Sequence, residues 1–254
     1  MPSISGQSLL VIGGSSGIGA AVARLAAEQG ARVCIASSNA GRVADAVARL
    51  KAESPATADV RGFTVDLSRP DVEARLEKLF ADVTAGGTRQ LDHVVVTAGR
   101  AGMRTIARTD RDFILGQAQL AIVAPALIAK LAPRFLAPGY TSSLAFCGGR
   151  AGGKPIKGWP AAACFAAGLE GLARGLALDL APLRVNVVHP GATETELWGP
   201  TPEDRKGARD FFAKTALLGK VGTPEEVAEA FVYLMRDSNT TGATVDSSGG
   251  ITVQ

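Results

Sequence analysis

Short apolar runs alternate along the whole chain with longer stretches in which apolar residues recur at helical spacing. That alternation predicts repeated β-α-β units and a parallel sheet. Strands are expected at Ser8 to Ile12, Arg32 to Ala36, Val60 to Val65, His93 to Thr97, Ser142 to Cys147, Arg184 to His189 and Thr244 to Asp246. All are brief and largely apolar, as strands covered on both faces must be. Between Ile18 and Glu28, the residues Ile18, Val22, Leu25 and Ala26 form one stripe, and Val72, Leu76, Leu79 and Phe80 do the same between Asp71 and Val83. Each stripe predicts a helix lying on the sheet. Thr223, Pro224 and Glu226 combine an N-cap hydroxyl, a first-turn proline and a capping-box carboxylate, which starts a helix running through Met235. No linker or repeat interrupts the pattern. The predicted fold class is therefore α/β: one doubly wound parallel sheet of about seven strands, helices on both faces, a single domain over 1–254.

A chain of 254 residues is long enough to bury a large core. Its formal charge of +3 comes from scattered Lys and Arg, without the clusters or interleaved aromatics that track a nucleic-acid backbone, so no nucleic-acid partner is expected. Cys34, Cys147 and Cys164 lie in apolar runs and show neither CxxC nor metal spacing. They read as reduced thiols packed in a core, with no metal site. The amino terminus lacks a charged segment followed by an apolar one, and no apolar run is expected to approach the roughly 20 residues that span a bilayer. The expectation is a soluble, cytoplasmic protein without a membrane partner.

The segment from Leu9 to Gly19 runs from a strand through Gly13, Gly14, Ser15, Ser16 and Gly17 into a helix beginning near Ile18. A turn of this kind presents backbone N–H groups and a helix N-terminus to a pyrophosphate, because glycine lets the ligand approach and the helix dipole favours an anion. The flanking strand and helix favour dinucleotide binding over a plain tight turn. At the end of the second strand, Ser37, Ser38 and Asn39 are followed by Arg42, with no carboxylate to repel a 2′-phosphate, which points to NADP(H). The alternative is that Ser38 or Asn39 caps the next helix and Arg42 is solvated. The two roles are compatible.

With Gly13, Gly17 and Gly19 in place, the chain resembles the short-chain dehydrogenases/reductases and their TGxxxGxG fingerprint, with Ile12 at the threonine position. The resemblance extends to Asp66 and Leu67 at the adenine contact and to Thr97, Ala98 and Gly99 at the tail of the NNAG motif. It continues through Asn186, Pro190, Gly191, Thr193 and Thr195 in the stretch that closes over the nicotinamide, and through Gly222, Thr241, Gly242, Gly249 and Gly250. It implies that these residues, with Ser15, Ser16 and Ile18, line a cofactor site, and that the chain forms a homodimer or homotetramer through its fourth and fifth long helices. The alanine-rich face from Ala161 to Ala177 permits such close packing, though it serves equally as a core face.

The same resemblance exposes a loss. The family's tyrosine and lysine fall on Ala162 and Ala166, its serine on or beside Gly149, and its asparagine on about Gln119. From Gly148 to Asp179 there is no tyrosine, and Lys154 and Lys157 precede the helix. Lys154-Pro155-Ile156 with Trp159, and Leu180-Ala181-Pro182 with Arg184, are similar to an atypical fungal biosynthetic branch that includes iminium-reducing Diels-Alderases. In that branch an acidic residue precedes the tryptophan; here the loop is Ile156-Lys157-Gly158. Reducing an iminium needs a placed hydride donor and little proton transfer, so a site without Tyr and Lys retains that chemistry. Candidate polar groups are His189, Arg150 and Gln119, with Lys157 nearby; each also has a bland reading as a buried or solvated side chain. Leu197, Trp198, Phe211 and Phe212 resemble a substrate lid and suit a hydrophobic small molecule. Three function classes follow: an NADP(H)-dependent oxidoreductase acting on an imine, iminium or activated carbonyl in specialised metabolism; a non-redox isomerase or cyclase that keeps the dinucleotide; and a catalytically silent binding or scaffold protein.

Overall fold

The computed structural model describes residues 2–53, 59–99 and 102–253. Strands β1 (Ser8–Ile12), β2 (Arg32–Ser37), β3 (Val60–Thr64), β4 (His93–Val96), β5 (Ser143–Cys147), β6 (Arg184–Pro190) and β7 (Thr244–Ser247) form one sheet in the order β3-β2-β1-β4-β5-β6-β7. Every pairing is parallel. The predicted strands are all present, with ends moved by a residue or two. Successive side chains of a strand point to opposite faces, so each central strand feeds two cores. Leu10, Ile12, Val94, Val96, Leu144 and Phe146 join one; Leu9, Val11, Val95 and Ala145 join the other.

The first core is covered by α3 (Val72–Thr84), α5 (Ala124–Phe135) and α6 (Pro160–Asp179), with α4 (Arg111–Ala118) lying against α6; the second is covered by α1 (Gly17–Glu28), α2 (Ala40–Glu53) and α8 (Pro224–Arg236). The capping box predicted at Thr223 and Glu226 forms. A further helix, α7 (Pro202–Ala213), opens on a second capping box between Thr201 and Asp204. β1 pairs with both β2 and β4, so the chain reverses its winding direction beside the glycine-rich turn. In open parallel sheets that reversal opens a crevice at the strands' C-terminal ends.

Two sequence readings are corrected. Cys34 is buried as expected, but Cys164 lies exposed on α6, because the apolar run around it is broader than the stripe that touches the sheet. The continuous helix Arg111–Phe135 and the helix Pro160–Asp179 are also long and apolar enough, by length and composition, to cross a membrane. Counting uninterrupted apolar runs overlooked them, since mean hydropathy tolerates an occasional glutamine or charge. Little of either helix is buried within the chain.

Polar groups inside the fold are matched individually. The buried Arg184 guanidinium donates to the carbonyls of Tyr140, Leu234 and Met235, which ties the entrance of β5 to the C-terminal end of α8. Asn186, whose motif pointed toward the nicotinamide, bonds Thr240 O and Ala243 N and so holds the loop before β7. At the opposite edge from the crevice, His93 is buried between Ser143 Oγ at 2.8 Å and Gln7 Oε1 at 2.9 Å. Burial pushes its pKa down to about 3.

The native state thus keeps His93 neutral while the unfolded chain protonates it near the ordinary value of 6.5. Its contribution to stability is complete above about pH 6.5 and falls as pH drops toward about 3, by up to about 1.4 kcal/mol per pH unit. Urea denaturation across that range should show this loss in the wild-type protein, and a shallower decline in His93→Gln.

Candidate functional site

The glycine-rich turn is fixed by contact with the end of β4. Gly13 has φ +102°, and a Cβ there would lie 2.4 Å from Ala98 N. A Cβ on Gly19 would lie 2.3 Å from Gly13 O and 2.4 Å from Thr97 Oγ1. Ala98 N in turn donates to Ile12 O at 3.0 Å. Gly14 is pressed against Ile35, and Ile18 packs on the core beneath α1. Ser15 is buried, and its carbonyl accepts from Arg49 at 3.4 Å. Ser16 is the N-cap of α1 but its hydroxyl makes no cap bond, and the first turn carries no acidic residue. Gly17, at φ +53°, instead donates its N–H to Glu196 Oε2 at 3.1 Å. The turn therefore leaves room where a Cβ would intrude, and its helix terminus already accepts an anionic oxygen. Both features fit a pyrophosphate.

Because the strands are parallel, the other sequence-predicted residues reach the same edge. Ser37 ends β2, and Ser38, Asn39 and Arg42 follow on its exposed rim. Asn39 Oδ1 accepts from Arg42 N at 2.9 Å, so the capping alternative holds, while the Arg42 side chain stays exposed without a charged partner among the described residues. Beyond β3, Asp66 accepts from the backbone N–H and hydroxyl of Ser68, which holds its carboxyl below the usual range. Leu67 is buried, and Gly99 extends exposed beyond β4.

Across the crevice, Pro190 ends β6, and Gly191 approaches Ser248 so closely that a Cβ would lie 2.7 Å from its Cα. Thr193 is buried and bridges to Gly222; Thr195 caps the short turn Glu196–Trp198. Glu194 pairs with Arg209 at 3.2 Å and anchors α7 to this segment. Trp198 packs on Phe212, with ring centres 5.5 Å apart, and the Arg150 guanidinium lies 6.0 Å from the same Phe212 ring. An aromatic roof thereby faces the exit of β5. The Arg150 guanidinium has no carboxylate partner among the described residues, and burial lowers its pKa.

Comparison with known proteins decides what this arrangement belongs to. Residues 3–254 match the model of the SDR-like Rossmann domain. The chain belongs to the short-chain dehydrogenase/reductase family. It is 49% identical to short-chain dehydrogenase/reductase ATR9 of Stachybotrys chlorohalonatus over the whole of both chains. It is 37% identical to short-chain dehydrogenase/reductase malC of Malbranchea aurantiaca, covering 98% of this chain and 95% of that one. The solved structure of MalC reductase/Diels-Alderase superposes with a TM-score of 0.91 at 35% identity, over 99% of this chain and 98% of that one. The sequence's resemblance to fungal members of the family is therefore a real relationship.

The positions that the resemblance gives for the family's tyrosine, lysine and serine lie on α6 and in the turn before it. Ala162 and Ala166 occupy the early turns of α6, and Gly149 leads into the turn Arg150–Gly152. The only tyrosines, Tyr140 and Tyr233, lie before β5 and on α8. The three candidate polar groups have different fates. Gln119 begins a π-helical turn, Gln119–Val123, and its amide donates to Leu67 O at 3.0 Å, which joins this helix to the Asp66 loop. His189 is 2% exposed, with Nδ1 3.3 Å from Glu170 and 4.0 Å from Asp246, and Nε2 without a hydrogen-bond partner among the described residues. Its imidazole lies where a Cβ on Gly148 would come within 2.5 Å. Burial lowers its pKa, against the opposing pull of Glu170 and Asp246. His189 is thus a covered imidazole, and Arg150 is the candidate that faces the roof. Cys147 packs toward the second core, where burial raises its thiol to about 12.

Sequence reading missed Glu196, Glu170 and Arg49. None belongs to a motif, and Glu196 meets the turn only because the fold closes a separation of 179 residues.

Alanine at a helix interior usually gains up to about 1 kcal/mol over glycine. At Gly19 the new methyl would strike a backbone carbonyl, so Gly19→Ala should lose about 1–3 kcal/mol instead. Chemical denaturation of that variant against wild type measures the sign directly.

Proposed function

We propose that this chain is an NADP(H)-dependent reductase that acts on an imine, iminium or activated carbonyl in specialised metabolism, without a tyrosine–lysine proton shuttle. The observation that carries the reading is a complete glycine cradle beside bare catalytic positions: Gly13 and Gly19 leave room that any side chain would fill, while alanines stand at positions 162 and 166. A binding cleft kept in full argues for a dinucleotide that is still used.

Gly13, Gly17, Ile18 and Gly19 would receive the pyrophosphate, with Ser15 and Ser16 in the turn. Ser37, Ser38, Asn39 and Arg42 would take the 2′-phosphate, Asp66, Leu67, Ala98 and Gly99 the adenosine, and Pro190, Gly191, Thr193 and Thr195 the nicotinamide side. When bound, the nicotinamide supplies a hydride. The chain's own part is then placement and exclusion of water. Trp198 and Phe212 cover the exit of β5, and Arg150 offers donors to an acceptor atom on the substrate. A guanidinium holds its proton at neutral pH, so Arg150 polarises a carbonyl but does not protonate it. An iminium substrate needs neither service.

A second reading is a non-redox cyclase that keeps the dinucleotide as part of its pocket, supported by similarity to a protein described as both reductase and Diels-Alderase. Product formed without net oxidation of NADPH would favour it. We further propose that the apolar, largely uncovered faces of the helices Arg111–Phe135 and Pro160–Asp179 pack against a second copy of the chain.

Calorimetric titration with NADPH and NADH tests the cofactor reading. NADPH should bind more tightly than NADH, and Arg42→Ala should weaken NADPH about tenfold, equivalent to about 1.4 kcal/mol, while leaving NADH unchanged. Failure to bind either dinucleotide would refute both the reductase and the cofactor-assisted cyclase.

A further inference from the structure

The N-terminus of α1 is supplied with an anion by a distant part of the same chain. Helix termini leave several N–H groups without partners, and here neither the Ser16 hydroxyl nor an acidic first-turn residue meets them. The Glu196 carboxylate does so, accepting from Gly17 N at 3.1 Å. The contact is close along the whole turn, for a Cβ on Gly17 would lie 3.2 Å from the Thr195 methyl. The turn rests directly on the loop whose N–H groups would face a pyrophosphate.

We propose that Glu196 competes internally with the dinucleotide, so that cofactor binding requires the Glu196 carboxylate to release Gly17 N while Thr195 stays beside the cofactor. This rests on the cofactor reading above. Two anions cannot share one helix terminus without repulsion, and the carboxylate, being tethered, is present at high effective concentration. The Glu196 turn also borders the substrate side, because Trp198 packs on Phe212 and Phe212 lies beneath Arg150. Glu194, at the base of the turn, holds α7 through Arg209.

The test compares wild type, Glu196→Gln and Glu196→Ala. Glutamine keeps the size and removes the charge; alanine removes the contact. NADPH affinity, measured by calorimetry, should rise about tenfold in both variants, equivalent to about 1.4 kcal/mol. In the cofactor-free state, amide hydrogen exchange around Gly17 should be faster in Glu196→Ala than in wild type, and NADPH should change tryptophan fluorescence in wild type more than in Glu196→Ala. Equal or weaker NADPH affinity in the variants, with wild type binding, would overturn the proposal and leave the cofactor reading intact. Unchanged exchange around Gly17 would also overturn it. Absence of binding by all three proteins would refute the cofactor reading and this proposal together.

Discussion

A parallel sheet must bury both of its faces, and most of this molecule's organisation follows from that requirement. Its strands carry apolar residues at nearly every position, because alternate side chains serve different cores. Parallel pairing forces each connection to cross the sheet and return, so every strand ends at the same edge. The glycine-rich turn, the Ser37–Arg42 rim, the Asp66 loop and the Pro190–Thr195 segment share a crevice for that reason alone. The buried Arg184 and His93 serve the same architecture from below, since each meets backbone or side-chain partners that would otherwise be stranded.

On this platform the two halves of the candidate site differ in what constrains them. The half that would hold a dinucleotide is constrained by contacts too tight for any residue but glycine, and it is intact. On the proposed reading, the half that would move a proton carries alanines and glycine, and the nearest imidazole is sealed beneath α6. The groups left facing the roof are aromatic rings and one guanidinium. On the proposed reading, such a site favours substrates whose reactivity is already present in their own charge or polarisation. Positioning then contributes more than acid/base assistance.

Much of this was legible beforehand. The strand pattern, the capping box at Thr223 and the strand-turn-helix at Gly13 are local in sequence, and local patterns report backbone geometry directly. The absence of tyrosine between Gly148 and Asp179 was equally visible, because it is a matter of residue type alone. The fate of individual polar side chains was not. Gln119 and His189 were both read as site candidates; one amide is committed to Leu67 and one imaginable catalyst is buried, since helix rotation and strand register decide which way each points. Cys164 was misplaced for a related reason: an apolar run does not say which of its faces meets the sheet.

The sequence by itself determined the class of fold, the order of its elements, the position of the glycine-rich turn and the absence of the phenol and ammonium expected in this family. These depend on residue type at short range, where propensity, periodicity and steric freedom act. Tertiary structure alone decided that Arg184 and Asn186 brace the end of the sheet, that Arg150 faces the aromatic roof, and that Glu196 lies on the N-terminus of α1. Each of these joins residues far apart in the chain, and only the closing of the sheet and the packing of its helices fixes such distances.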